Sequence, residues 1–216
     1  MKPLLTPDLE GAVYSEAVLE LIGSATDSLI FQIPYISMPS NPDADRGFID
    51  RLIEALTDKL LTLPDARVIL RSGGSKFSAP THAAWFFKSK GVDIDSRLKQ
   101  IENHHTKGMI VDGKRVLIGS HNWSKPGVTL NRDASLIFEN AGIADYFAEA
   151  FEIDWLRAGK IRRASSSANP SARRWATPRP PALCACRCRS CSRTRSRAWP
   201  RKVADFRIRS CVKKET

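Results

Sequence analysis

Residues 105–122 read HTKGMIVDGKRVLIGSHN, and this stretch of sequence decides the fold. Two runs rich in aliphatic residues flank the dipeptide Asp112-Gly113, and Asp-Gly is a preferred two-residue turn between antiparallel strands. The pattern therefore predicts a β-hairpin whose strands cover residues 105–111 and 114–119.

The register of this hairpin determines which side chains meet. With a two-residue turn, facing residues have numbers that add to 225, so His105 lies opposite Ser120. By the same rule Lys107 lies opposite Ile118. Side chains alternate between the two faces of a strand, which places His105 and Lys107 on one face. Ser120 shares that face and Asn122 falls just beyond it, so the hairpin brings four polar side chains to one spot.

Two other residues of the stretch fit structural roles. Asp112 lies in the turn, about 20 Å of strand from His105 at roughly 3.3 Å per residue. Gly119 ends the second strand directly before Ser120. We therefore expect Asp112 and Gly119 to support the hairpin rather than to contact a substrate.

The polar side chains at the open end suit the cleavage of a phosphodiester bond. A neutral imidazole such as that of His105 can attack phosphorus or move a leaving-group proton near neutral pH. Lys107 supplies a fixed positive charge, and Ser120 and Asn122 supply donors for the non-bridging oxygens. Each preorganised donor of this kind stabilises a charged transition state by roughly 3–4 kcal/mol.

Three clustered histidines, His104, His105 and His121, raise the alternative of a metal site. The surrounding sequence lacks the carboxylate or thiolate cluster that would complete such a site. We therefore expect neither a metal nor another cofactor.

The spacing H-x-K-x4-D-x6-G-S-x-N resembles the signature of the phospholipase D superfamily, and the resemblance extends over residues 3–157. Outside the signature, the chain looks like the second half of bacterial members that carry two motifs. The segments with this likeness are LLTPD (4–8), QIPYI (32–36), ILRSGG (69–74), NRD (131–133) and DW (154–155).

The resemblance implies a fold, a mechanism and a partner. The fold is an α/β/α sandwich with a mixed sheet, and its active site lies at the edge that meets a second half. In the superfamily, one histidine becomes a phosphohistidine and the histidine of the other half protonates the leaving group. Asp133 matches the acidic residue that orients the imidazole. Because one motif is present, the second half comes from an identical chain or from the missing N-terminal half of a longer enzyme.

Patterns of strands and helices alternate through residues 1–160, as expected for α/β layers. Period-two alternation predicts the strands, and apolar residues at 3–4 spacing predict the helices. Besides the hairpin, the predicted strands cover residues 29–35, 66–70, 92–94 and 132–138. The predicted helices cover residues 17–22, 48–60, 83–87 and 143–156.

An abrupt change of composition divides the chain into a domain, residues 1–160, and a tail, residues 161–216. The tail has 13 Arg and 3 Lys against two acidic residues, and it holds all five cysteines. The net charge of +11 therefore comes from the tail, since the 18 basic and 21 acidic residues of the domain give −3. The tail offers too few apolar residues for a core, so we expect it to be disordered.

Three origins fit the Arg, Pro, Ser and Cys content of the tail. The favoured one is the end of a GC-rich gene read out of frame, and a genuine solvated tail is the second. The third is a binding module, in which the cysteines at 184–191 hold a metal or the arginines bind nucleic acid.

The favoured function is hydrolysis or transfer of a phosphodiester, preferably a phospholipid, through a phosphohistidine. The first alternative is a homodimeric endonuclease of the same superfamily, and the second is an inactive fragment or a basic nucleic-acid-binding module. The sequence near Met1 lacks a secretory signal, and no apolar run reaches the roughly 18 residues of a membrane span. As written, the chain is expected in the cytoplasm, although a parent protein could associate with a membrane.

Overall fold

One mixed sheet forms the centre of the computed structural model, which describes residues 1–38, 47–72 and 79–161. Its strands are β1 (Lys2–Leu5), β2 (Ser28–Gln32), β3 (Asp65–Ser72), β4 (Leu98–Glu102), β5 (Gly108–Val111), β6 (Arg115–Gly119), β7 (Ala134–Glu139) and β8 (Gly159–Lys160). The helices of the described residues are α1 (Ala12–Gly23), α2 (Phe48–Thr62), α3 (Ala79–Ser89), α4 (Ile94–Arg97), α5 (Lys125–Thr129) and α6 (Ala141–Arg157). None of these helices combines the length and the apolar composition that a bilayer crossing requires.

The strand order across the sheet is β1-β7-β6-β5-β2-β3-β4-β8. β2, β3 and β4 run parallel to one another, and every other neighbouring pair is antiparallel. The hairpin β5–β6 therefore lies between β2 and β7, near the middle of the sheet. This mixed sheet confirms the predicted fold class.

Helices cover both faces of the sheet. Alternate side chains of β2 show the division, because Leu29 and Phe31 join a core with α1 and α2, whereas Ile30 joins Phe151 of α6. All four side chains are buried, and burial of each stabilises the fold by about 1.5–3 kcal/mol. The result is the three-layer α/β/α sandwich that the sequence predicts.

The amphipathic helix predicted at 48–60 is confirmed as α2. Its buried apolar positions recur at the spacing that places them on one face of a helix. These positions are Ile49, Leu52, Ile53, Leu56 and Leu60.

The strand predicted at 92–94 is wrong, because α4 begins there and the strand follows it as β4. The Asp93 side chain accepts hydrogen bonds from Asp95 N at 3.2 Å and from the Ser96 hydroxyl at 2.7 Å, which starts a helical turn. Val92 and Ile94 are both buried. Their alternation therefore imitates a strand although their backbone leads into a helix.

The predicted hairpin is confirmed, but its register differs by one residue. Val111 pairs with Arg115, so the numbers of facing residues add to 226. The turn at Asp112-Gly113 has positive φ at both residues, and Lys114 N donates to Val111 O at 3.2 Å. Lys114 is the extra residue, since its carbonyl accepts a hydrogen bond at 2.8 Å from Asn140, beyond the end of β7. The turn thus has three residues rather than two, which accounts for the shift of one position.

This slip moves every contact of the second strand by one position. Gly119 rather than Ile118 faces Lys107, and Gly119 N donates to Lys107 O at 3.2 Å. Because neighbouring side chains alternate, Ser120 leaves the face that it was predicted to share with the motif histidine.

The predicted tail lies outside the described residues, apart from its first residue. Ile161 is half-buried and packs against the core between the sheet and the helices α1 and α2. The predicted disorder of residues 162–216 therefore stays a prediction.

Candidate active site

The candidate site lies at one end of the sheet, where β6 ends and where β5 and β7 begin. His105 and Lys107 precede β5, Ser120 follows β6, and Asp133 precedes β7. Antiparallel neighbours place the start of one strand beside the end of the next, so these four residues gather at the same end.

His105 and Lys107 form the first pair of the site. The Lys107 ammonium donates to the carbonyl oxygen of His105 at 2.9 Å, and its Nζ lies 3.2 Å from Nδ1 and 3.3 Å from Nε2 of that imidazole. Burial lowers the pKa of Lys107, the Asp133 carboxylate opposes this change, and the Arg71 guanidinium adds to it. His105 is exposed and Lys107 is half-buried, so both can reach a ligand.

Ser120 and Asp133 form the second pair. The Ser120 hydroxyl donates to Oδ1 of Asp133 at 2.6 Å and accepts a hydrogen bond from Ala134 N at 3.1 Å. Within the described part of the chain, no hydrogen bond connects Asp133 to the imidazole of His105. The carboxylate is nevertheless close enough to act on the charge of Lys107, which links the two pairs electrostatically.

Asn122, the last residue of the motif, is half-buried just beyond these pairs. Its Oδ1 is buried and has no hydrogen-bond partner among the described residues. An unpaired buried amide costs stability, and rotation of this amide would present its NH2 group instead. The side chain thus has spare hydrogen-bonding capacity.

Gly119 is a point of close approach between β6 and β7. A Cβ atom at Gly119 would overlap the hydroxyl of Ser135 and lie 2.5 Å from the carbonyl oxygen of Ala134. No other residue fits this position without a shift of the backbone.

Asp112 lies at the opposite end of the hairpin from His105. Its Oδ1 accepts hydrogen bonds from Asp27 N at 2.9 Å and Ser28 N at 3.0 Å, and its Oδ2 forms an ion pair with Arg115 at 3.0 Å. Burial alone would raise the pKa of Asp112, but the amide donors of Ser28, Asp27 and Thr26 together lower it. These contacts connect the turn to the start of β2.

Sequence reasoning gave no role in the chemistry to Arg71, and it considered His104 and His121 only as ligands of a metal site. The charge of Arg71 lowers the pKa of Lys107, and the charge of Lys107 contributes to the lowered pKa of His104. His104 is buried, its Nε2 has no hydrogen-bond partner among the described residues, and burial lowers its pKa to about 4. The sequence holds no signal for His104 beyond its place beside His105, and His121 occupies a variable position of the motif.

The described residues contain no group of three or more His, Cys, Asp or Glu side chains that could hold a metal ion. The three clustered histidines point to different places, because His104 and His121 are buried whereas His105 is exposed.

The comparisons with known proteins concern the family and the fold of the chain. The family model described as cardiolipin synthase, phospholipase D-like domain, matches residues 18–155. No curated protein matches the chain.

Among solved structures, similar folds occur in proteins that this chain covers almost completely and in a longer protein that it covers in part. The phospholipase D family member Nuc from Salmonella typhimurium has a TM-score of 0.56 and 22% identity, over 75% of this chain and 99% of Nuc. NucT from Helicobacter pylori has a TM-score of 0.50 and 15% identity, over 74% of this chain and 97% of NucT. Phosphatidylserine synthase from Haemophilus influenzae has a TM-score of 0.55 and 14% identity, over 80% of this chain but 43% of the synthase.

Proposed function

Because this chain belongs to the family of phospholipase D-like domains, we propose that it hydrolyses or transfers phosphodiester bonds through a phosphohistidine on His105. The observation that carries the proposal is the pair of His105 and Lys107 at the open end of the hairpin. An exposed imidazole with an ammonium group 3.2 Å from its Nδ1 combines a nucleophile with a charge that can bind phosphate.

The reaction has two steps. An imidazole nitrogen of His105 attacks phosphorus, the bond to the leaving oxygen breaks, and that oxygen takes a proton from a second imidazole. Water or an acceptor alcohol then attacks the phosphohistidine and gives its proton to the second imidazole, which breaks the bond between phosphorus and nitrogen. Lys107 and Asn122 stabilise the charge on the non-bridging oxygens, and Ser120 does so once its hydroxyl hydrogen, which Asp133 accepts here, turns toward the phosphate.

The second imidazole comes from another motif-bearing half. An identical chain can supply it if a two-fold axis passes between the two His105 side chains. The N-terminal half of a longer enzyme is the other source.

A phospholipid is the favoured substrate because apolar side chains lie beside the polar pairs. Leu5 pairs across the sheet with Ala134 and is 55% exposed. Leu130 is 71% exposed and precedes Asp133 by three residues. Such side chains match the apolar part of a phospholipid better than the sugar-phosphate backbone of a nucleic acid, and the family description names cardiolipin synthase.

A single-motif endonuclease is the second candidate. Its support is the fold that this chain shares with Nuc and NucT, of which it covers 99% and 97%. The net charge of −3 for residues 1–160 argues against it, because nucleic-acid affinity rests on cationic side chains that displace counterions.

The deciding experiment compares hydrolysis of phosphatidylcholine vesicles with cleavage of single-stranded DNA by the full chain. We expect turnover of the lipid and formation of a stoichiometric phosphohistidine. Cleavage of DNA alone would support the endonuclease, and absence of both products would mark the chain as an inactive fragment or a binding module.

A further inference from the structure

His121, at the variable position of the G-S-x-N segment, is one of the most enclosed polar side chains of the described residues. It is 2% exposed, and its ring stacks on Tyr14 with a centroid distance of 4.0 Å and an interplanar angle of 13°. The Tyr14 hydroxyl accepts a hydrogen bond from Nε1 of Trp123 at 3.3 Å, which fixes the stacking partner. A buried imidazole that is held by this stacking can fix the positions of the residues that are hydrogen-bonded to it.

The hydrogen bonds of His121 define one tautomer of its ring. The Thr6 hydroxyl donates its single hydrogen to Asn131 O at 2.7 Å, so toward Nε2 of His121, at 3.1 Å, it can only accept. Nε2 therefore carries the ring hydrogen. Nδ1 then accepts a hydrogen bond from the Ser135 hydroxyl at 2.7 Å.

Thr6 connects this ring to the acidic residue of the site. Asp133 N donates to Oγ1 of Thr6 at 3.3 Å, and Thr6 N donates to Asp133 O at 2.9 Å. The Thr6 hydroxyl thus bonds both Asn131 and Asp133, at the two ends of the segment that precedes β7. The Thr6 hydroxyl therefore contacts the backbone of the residue whose carboxylate accepts the Ser120 hydrogen bond.

The hydrogen bond between His121 and Ser135 also explains why the motif has glycine at position 119. The space that a Cβ at Gly119 would need is filled by the Ser135 hydroxyl, which bonds His121. A side chain at position 119 would displace the hydroxyl that orients the ring.

We propose that His121 is a positioning residue, which sets the Asp133–Ser120 pair through the Thr6 hydroxyl. This role rests on the proposed phosphodiesterase function. His121 itself does not touch the substrate, because its ring is buried and both of its nitrogens are bonded within the fold.

The test uses two matched pairs of variants in the full chain. Thr6→Val removes the hydroxyl at constant shape, and Thr6→Ser keeps it. His121→Phe keeps the stacking on Tyr14 and loses both hydrogen bonds, whereas His121→Gln retains an N–H donor toward Thr6. We expect Thr6→Val and His121→Phe to lower kcat at least tenfold with KM within threefold of wild type, and the conservative partners to stay within threefold for both constants.

A double-variant comparison separates positioning from a general loss of structure. If Thr6 acts through Asp133, adding Thr6→Val to Asp133→Ala should cause no further loss of kcat. A full additional tenfold loss would overturn the proposal, as would Thr6→Val with wild-type kcat.

Two readouts do not depend on turnover. Ring ¹⁵N shifts should show His121 protonated at Nε2, and amide exchange at Asp133 and Ala134 should be at least tenfold faster in Thr6→Val than in Thr6→Ser. An Nδ1-protonated ring or equal exchange in the two variants would overturn the positioning role. Inactivity of the wild-type chain would refute the proposed function, and these two readouts would still decide whether His121 positions Asp133.

Discussion

The two ends of the hairpin β5–β6 differ in the exposure and in the partners of their motif side chains. At the turn, the Asp112 carboxylate accepts hydrogen bonds from the backbone amides of Asp27 and Ser28 and pairs with Arg115, whose Nε is itself buried without a partner among the described residues. At the open end, His105 is exposed, and the buried polar atoms His104 Nε2 and Asn122 Oδ1 have no partner among the described residues. One sequence motif therefore has a bonded structural carboxylate at its turn and an exposed imidazole at its open end, where we propose the chemistry.

Replacement of the exposed imidazole should have the largest effect. His105→Asn should lower turnover about 10³-fold or more, because the reaction needs a ring nitrogen, and it should leave thermal unfolding unchanged within about 2 °C. The measurement is phosphodiesterase turnover together with a melting curve, with His82→Asn on α3 as the matched control. Turnover within tenfold of wild type would remove His105 from the mechanism.

Two lysines allow a direct comparison of the hairpin ends. Lys107→Met at the open end should lower turnover about 10²–10³-fold, since one charged donor to the phosphate is lost. Lys114→Met at the turn should lower it less than threefold. Initial rates at saturating substrate measure both effects. Equal losses in the two variants would show that the positive charge acts at long range rather than at the site.

Loss of charge at the turn should affect stability instead of activity. Asp112→Asn tolerates the positive φ of 49° at this position but weakens the bonds to Arg115 and to the backbone amides. We expect a decrease of about 2 kcal/mol in the free energy of unfolding, measured with urea, and turnover within twofold of wild type. Asp58→Asn on exposed α2 surface is the control, with a change below about 0.5 kcal/mol. A large loss of turnover without loss of stability would place Asp112 in the chemistry.

The two ends should also respond to different ranges of pH. The folded-state pKa of His104 is lowered to about 4, so its stabilising contribution is complete above the ordinary value of 6.5 and is lost as the pH falls toward 4. Between pH 7 and pH 5 this should cost about 1–2 kcal/mol. The pKa of Asp112 is lowered from 3.8, so its contribution is lost only at more acidic pH.

Urea unfolding at a series of pH values checks this separation. His104→Asn should reduce the change in the free energy of unfolding between pH 7 and pH 5. Asp112→Asn should reduce the change at more acidic pH. If His104→Asn keeps the wild-type change in the free energy of unfolding between pH 5 and pH 7, another group controls stability in that range.

The sequence predicts much of the fold because its patterns are local. Period-two alternation identifies β2 and β3, and 3–4 spacing identifies α2 and α6. The register of the hairpin is not purely local, since β6 also pairs with β7 and the extra turn residue Lys114 bonds Asn140. Side-chain periodicity alone assigns Val92 and Ile94 to a strand, although the Asp93 cap turns this segment into a helix.

The candidate site shows the same limit. The motif identifies His105, Lys107 and Ser120 by spacing, and the structure gathers them at one end of the sheet. The network of Thr6 and His121 has no counterpart in the motif, because it joins residues that lie 115 positions apart. Contacts over such distances depend on the fold, so spacing could not reveal them.

The short strand β8 also determines where the folded unit can be cut. Gly159 and Lys160 pair with β4, and Ile161 packs against the core. A chain that stopped at residue 158 would lose the pairing of Lys99 and Gln100 with β8 and leave this part of the β4 edge open, which favours pairing between molecules and aggregation. A chain that stopped after residue 161 would keep this pairing, so a tag or a fusion partner should be attached there.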